Sequence, residues 1–191
     1  MQGNAHPAYN TSPGGWPPTA RRLGSAEIIA GLERLAIEFL PFVPCSTAAD
    51  VLAHFRAHPS ARAFPVTREE EGVGILAGLT LAGRSAALMM QDTGFGNSLT
   101  ALTTFGQAYH VPMLVVATRT GGLGEINAAV PSYSESVPDV LHAAGLSLFT
   151  LDARTPLPEW EATLVGAKRY AETAHRPVIV LADLKREVPA V

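Results

Sequence analysis

From Ser25 onward the chain switches repeatedly between helical spacing and short continuous apolar runs. Ile28, Ile29, Leu32, Leu35, Ala36 and Phe39 recur at three- and four-residue steps, which predicts a helix capped at its start by Ser25. Phe42-Val43-Pro44 then reads as a short strand, and Ala48 to His58 as a helix with Val51, Leu52 and Phe55 turned inward. The same reading gives a strand over 63–66, an apolar helix over 69–81, a buried strand over 86–91 and a helix over 97–109 that starts near Asn97 or Ser98. A β-branched strand over 113–117 leads into a long polar loop over 119–138. A short helix over 139–144, a strand over 147–151, a helix over 158–174 and a last strand over 177–181 complete the pattern.

Strands that are apolar throughout, each separated from the next by a helix, are buried on both faces. The prediction is therefore an α/β fold with a parallel six-stranded sheet, helices on both faces and right-handed crossovers. Residues 1–22 hold Pro7, Pro13, Gly14, Gly15, Pro17 and Pro18 and read as an extended tail, which leaves 23–191 as one domain. In open parallel sheets ligands bind beyond the carboxyl ends of the strands. Two segments fall at that rim: the acids Glu69, Glu70 and Glu71, and the glycine turn Gln91-Asp92-Thr93-Gly94-Phe95-Gly96-Asn97-Ser98.

Composition narrows the picture. Of 191 residues, 47% are hydrophobic and 16% charged, so the chain can bury a core. The net charge of −3 and the lack of a Lys/Arg stripe argue against nucleic acid as a partner. No apolar run approaches the ~20 residues of a membrane helix. Arg21-Arg22 invites comparison with a twin-arginine signal, but polar sequence follows where an apolar run belongs. The single cysteine, Cys45, excludes an internal disulfide framework and suits the cytoplasm.

Several motifs invite chemistry that their spacing does not sustain. Gly94-Phe95-Gly96 lacks the third glycine of a dinucleotide fingerprint, since Leu99 stands in its place. Gly121-Gly122-Leu123-Gly124 is followed by Glu125 and not by Lys-Ser, and reads as a loop hinge. His54 and His58 lie four apart on a helix, but no third metal ligand is suitably spaced in sequence, so they read as solvated histidines. His110 sits where a histidine caps a helix end. Cys45 and Ser46 follow a strand and read as pocket wall, with no histidine paired to make the thiol a nucleophile. The three glutamates exceed what a helix N-terminus needs, and at ~100° per residue only one or two can face the rim.

The stretch Thr67-Arg-Glu-Glu-Glu-Gly-Val-Gly-Ile-Leu-Ala-Gly78, followed by Leu88-Met-Met-Gln-Asp-Thr-Gly-Phe-Gly-Asn-Ser98, resembles the pyrimidine-binding domain of thiamine diphosphate enzymes. It is most similar to the α subunits of sulfopyruvate decarboxylase and to the related phosphonopyruvate decarboxylases. Val43-Pro44-Cys45-Ser46 and the run from His110 to Val116 fit the same pattern, so the resemblance spans about 25–185. It implies that a glutamate bonds the pyrimidine ring nitrogen N1′, and the family's spacing to Gly78 puts that role on Glu69, with Glu70 and Glu71 as runners-up. It implies that the turn at Thr93, Gly94, Phe95, Gly96 and Asn97 lies against the cofactor, and that Gln91 and Asp92, with Cys45 and Ser46, face the substrate. Phe95 replaces a smaller aliphatic residue, and Asp92 a neutral one whose loss would repel an anionic substrate. Arg68 and Arg119 are candidates to bind a substrate anion.

The implied reaction is decarboxylation of a small 3-substituted pyruvate, sulfopyruvate or phosphonopyruvate, to the aldehyde. The alternatives are a carboligase or aldehyde-transferase subunit with the same cofactor, and a non-catalytic α/β protein that binds a partner. The family's Gly-Asp-Gly diphosphate motif is missing from this sequence. Expected in consequence are a separate β subunit that carries it and ligates magnesium, no metal ligand in this chain, and a hetero-oligomer of αβ pairs. The interface is expected around 91–109.

Overall fold

The computed structural model describes residues 18–122, 125 and 127–185, with the backbone alone at 18–22. The expected six strands are present as one parallel sheet in the order β2-β1-β3-β4-β6-β5. They are β1 (Phe39–Phe42), β2 (Arg62–Pro65), β3 (Leu88–Gln91), β4 (Leu114–Thr118), β5 (Ser147–Leu151) and β6 (Val178–Ala182). The helices are α1 (Pro18–Arg34), α2 (Ala49–Ala57), α3 (Glu69–Leu81), α4 (Phe95–Ala101), α5 (Pro131–Ser134), α6 (Val137–Ala143) and α7 (Trp160–Ala174). A π-helical stretch, Leu102–Gln107, prolongs α4.

Alternation along the central strands divides the core into two halves. Leu114 and Val116 of β4, with Val178 and Val180 of β6, face the side covered by α1, α2 and α7. Val115, Ala117, Ile179 and Leu181 face the side covered by α3, α4 and α6. Trp160 is the largest fully buried side chain and donates Nε1–H to the Thr155 carbonyl at 3.0 Å. We expect Trp160→Ala to destabilise the chain by about 3–5 kcal/mol, measured as a lower urea midpoint.

Two prolines shape the sheet edge nearest the acids. Hydrogen bonds from Arg62 and Val66 amides to Glu38 and Phe42 show that even-numbered residues of β1 and β2 face each other. Pro41 therefore faces β3, where it has no N–H to give, and that ladder thins to Phe42↔Met89 and a bridge at Phe39↔Ala86. Pro65 faces the open edge, where a missing donor discourages pairing with another strand.

Several boundaries differ from expectation. The first helix starts at Pro18, a residue suited to a first helical turn, so it begins inside the stretch read as tail; the remainder of that stretch, 1–17, lies outside the described residues. Ser25 is accordingly interior to α1, with a buried hydroxyl that has no partner, and is not a cap. The helix stops at Arg34 because Ala36 turns back at φ +48°, which hands Phe39 to β1 and places that strand ahead of Val43-Pro44. The fourth helix begins at Phe95, so Asn97 and Ser98 lie within its first turn. The polar stretch 119–138 is interrupted by α5 and by the start of α6, each with a proline in its first turn. Among the described residues no helix is long and apolar enough to cross a membrane.

Candidate active site

Parallel strands deliver the expected residues to one rim, at the carboxyl ends of β1, β2, β3 and β4. The three glutamates separate there by role. Glu71 Oε2 accepts the Thr67 amide at 2.7 Å and closes the start of α3. Glu70 Oε1 pairs with Arg68 Nε at 2.6 Å. Glu69 reaches across to the glycine turn, where its Oε2 accepts a hydrogen bond from Asn97 Nδ2 at 2.8 Å. Its side chain lies directly over Gly94: a Cβ there would stand 2.3 Å from Glu69 Cγ and 2.8 Å from Oε1. Glycine is required by this approach and not by backbone conformation, since Gly94 is right-handed helical at φ −65°, ψ −15°.

The turn itself is a 3₁₀ turn over Asp92–Gly94 that runs straight into α4. Thr93 Oγ1 accepts from Gln91 Nε2 at 2.9 Å. Gly96 lies beneath Tyr133, whose ring carbons and hydroxyl would be 3.6–3.9 Å from an added Cβ. Burial, and then the Asp92 carboxylate, push the Tyr133 hydroxyl above its ordinary pKa, so it keeps its proton at neutral pH. Tyr133 was not recognised in the sequence; its one local signal is the Pro131 that starts the short helix carrying it.

Two expected contacts are corrected. Phe95 is fully buried, in the half of the core that holds Leu102 and Val137, because the chain has already entered α4 there; its side chain is not exposed at the rim. Asp92 is 0% exposed and accepts from the Thr120 amide at 2.9 Å, from the Thr120 hydroxyl, and from Ser134 Oγ at 3.3 Å. Its carboxylate is enclosed by these donors and braces the end of β3 against the segment after β4, while its charge still reaches Tyr133.

Cys45 is nearly buried and belongs to a polar cluster that ties three strand ends together. Its Sγ lies 2.8 Å from Thr47 Oγ1, 3.2 Å from Thr118 Oγ1 and 3.7 Å from Gln91 Oε1. Ser46 is exposed and, with Cys45, Leu52 and Arg56, lines an open groove of about 490 Å³ along α2. On the far side of β4, Lys185 Nζ contacts Glu125 Oε2 at 2.8 Å and the Gly121 carbonyl at 2.9 Å. Burial raises the Glu125 pKa, but Lys185 and the Asn127 and Gly121 amides outweigh it and hold the carboxyl below its ordinary value.

The histidines expected to be solvated are engaged at the opposite end of the sheet. Glu33, His54 and His58 place candidate ligand atoms within 4.8 Å of one another, so α1 supplies the third residue that sequence spacing did not reveal. His58 Nδ1, however, accepts the Ser60 and Ala61 amides at 3.3 and 3.1 Å, which leaves its proton on Nε2. That N–H faces Glu33 Oε1 at 3.9 Å, beside His54 Nε2 at 2.8 Å. The trio is a hydrogen-bonded clamp between α1 and α2, in which His58 Nε2 carries its proton and is not a ready ligand. His110 stands after the π-helical stretch at φ +56° and is exposed.

No family model matches the chain. It is 34% identical over 138 residues to the sulfopyruvate decarboxylase subunit alpha of Methanothermobacter thermautotrophicus, covering 72% of this chain and 81% of that one. It is 36% identical over 163 residues to the subunit of the same name from Methanocaldococcus jannaschii, covering 84% and 93%. A phosphonopyruvate decarboxylase of Streptomyces viridochromogenes is 31% identical over 103 residues, 54% of this chain and 26% of that protein. Among solved structures, 2-oxoglutarate:ferredoxin oxidoreductase from Magnetococcus marinus superposes with a TM-score of 0.68 at 18% identity, over 85% of this chain and 29% of the other. Benzoylformate decarboxylase from Polynucleobacter necessarius gives 0.60 at 17%, over 88% and 32%. These two share the fold, and the chain spans about a third of their length.

Proposed function

The chain belongs to the family of sulfopyruvate decarboxylase α subunits, and from that premise we propose that it forms the pyrimidine-binding half of a thiamine diphosphate-dependent 2-oxo acid decarboxylase. The observation that carries this reading is the Glu69 carboxylate, held over Gly94 and bonded to Asn97 at the sheet rim. The residues fit the aminopyrimidine. A carboxyl group stands ready to share a proton with a ring nitrogen, and the missing side chain at Gly94 lets that carboxyl lie close against the turn. When bound, thiamine diphosphate supplies the electron sink for loss of carbon dioxide. Glu69 holds the proton at its carboxyl oxygen, Asn97 fixes that group's orientation, and Gly94 makes room for the Glu69 side chain. Tyr133, protonated above Gly96, closes one wall. The substrate is a small 3-substituted pyruvate, sulfopyruvate or phosphonopyruvate.

The diphosphate and its magnesium belong, in this reading, to a β subunit, and the protein works in the cytoplasm as an αβ hetero-oligomer. The surface of α3 supports a partner. Gly74 and Gly78 are exposed one turn apart, and a Cβ at either would touch nothing among the described residues. Glycine at a helix interior costs about 1 kcal/mol relative to alanine, and no contact among the described residues offsets it. Leu81, Phe105 and Tyr109 are exposed on α3 and on the end of the α4 extension. A close-packed partner accounts for both features.

Copurification with a β subunit bearing a Gly-Asp-Gly motif, and release of carbon dioxide from sulfopyruvate only when both chains, thiamine diphosphate and magnesium are present, is the expected result. A complex that forms yet decarboxylates neither sulfopyruvate nor phosphonopyruvate would remove this reading. For the interface we expect Gly78→Leu to leave the isolated chain folded while weakening β-subunit binding by about 10²-fold, in line with losses at an interface centre, as read by native mass spectrometry across a dilution series.

A further inference from the structure

Arg119 is the first residue after β4, and its amide donates to the Ala182 carbonyl at 2.7 Å, which anchors it between β4 and β6 at the rim. In sequence it stands between Thr118, bonded to Cys45 and Thr47, and Thr120, bonded to the buried Asp92. The side chain as a whole is partly buried, but its Nη1 is shut off from solvent and has no hydrogen-bond partner. A buried guanidinium nitrogen without an acceptor is destabilising, more so than a neutral donor left unpaired. Three other cations toward this end of the sheet are paired, and Arg56, in the groove beside Cys45, lies on the far side of β1. Arg68 is paired with Glu70, Lys185 with Glu125 and Arg154 with Asp152. Arg119 thus offers a partly buried cation with one unfilled donor, on the segment that leaves β4 at the carboxyl end of the sheet.

We propose that Arg119 is the residue that selects substrates carrying a strong anion on C3, by binding the sulfonate or phosphonate that the product retains. This rests on the decarboxylase reading above. A guanidinium suits a tetrahedral oxyanion because its planar fork can give two parallel N–H bonds, which a lysine cannot. Of the two anions on such a substrate, the carboxylate leaves. A cation bound to it would stabilise charge in the ground state that must be dispersed in the transition state, and so would slow the step. The retained anion carries its charge unchanged throughout, and a fixed cation can hold it without that penalty. This contact contributes uniform binding and is expected in KM, not in kcat.

The test uses the assembled αβ holoenzyme with wild-type, Arg119→Met and Arg119→Lys α chains. Steady-state decarboxylation of sulfopyruvate and phosphonopyruvate is measured. Calorimetric binding of 3-sulfopropanoate, a non-reacting probe with both anions, is compared with binding of propanoate. For Arg119→Met we expect KM for both substrates to rise about 10²-fold with kcat within about threefold. The 3-sulfopropanoate Kd should rise in step, propanoate binding should not respond, and Arg119→Lys should recover part of the loss. A fall in kcat at constant KM, or equal weakening of both probes, overturns the proposal. Dissociation of the variant complex on native mass spectrometry overturns it too, because the missing acceptor then lies on the partner. Failure of the wild-type holoenzyme to decarboxylate either substrate removes the decarboxylase reading itself, and this assignment with it.

Discussion

Glu69→Gln in the assembled enzyme is expected to lower kcat by about 10³-fold, within the range general acid–base groups contribute, without loss of folding or subunit association. The substitution keeps the shape of the side chain, and its amide oxygen can still accept from Asn97 Nδ2, so the contact over Gly94 survives. What it removes is the capacity to hold and share a proton. Glu70→Gln and Glu71→Gln provide the contrast. Glu70 loses only an ion pair with Arg68, itself 63% exposed, worth at most about 1 kcal/mol. Glu71 keeps an oxygen for the Thr67 amide and loses only its charge at the helix start. Both should retain activity within about threefold. The three variants, measured for kcat and for urea unfolding, separate a proton-sharing role from a structural one. Inactivation by Glu70→Gln with full activity in Glu69→Gln would move the role one residue along α3.

The parts of this molecule that were legible in the sequence are those set by local pattern. The third helix runs from Glu69 to Leu81 and the fifth strand from Ser147 to Leu151, as the apolar spacing predicts, because each is bounded by residues whose own chemistry starts or stops it. The six-strand parallel sheet followed from runs such as Met-Leu-Val-Val-Ala, which have no polar face to offer solvent. What local pattern does not carry is the identity of a partner far away in sequence. Asp92 looked like a rim residue because it follows a strand, but Thr120, 28 residues on, and Ser134, 42 residues on, enclose it. Phe95 sits in a glycine turn by sequence and in the core by structure, because α4 begins two residues earlier than its polar residues suggest. Glu33 meets His54 across two helices, which spacing along one helix could not show. Tyr133 was hidden for the same reason: it approaches Gly96 from a segment with no apolar period.

Gly94→Ala offers the sharpest separation of stability from function. The backbone at 94 is right-handed helical, so alanine can adopt it, and the reduced freedom of the unfolded chain favours folding by about 0.4–1 kcal/mol. The nearest atoms to the new Cβ would all belong to Glu69, at 2.3 Å for Cγ and 2.8 Å for Cδ and Oε1. Glu69 is a flexible side chain at the first position of α3, so it can rotate away at little energetic cost. Rotation breaks the Asn97 bond and moves the carboxylate by more than an ångström, a displacement that typically costs about 10²-fold in rate. The expected variant therefore melts within a few degrees of wild type, a shift corresponding to about 1 kcal/mol, and loses about 10²-fold in kcat. Near-wild-type activity would mean that the carboxylate does not work from the position it occupies over the turn. A large fall in melting temperature would mean that the turn itself, and not the approach of Glu69, demands glycine.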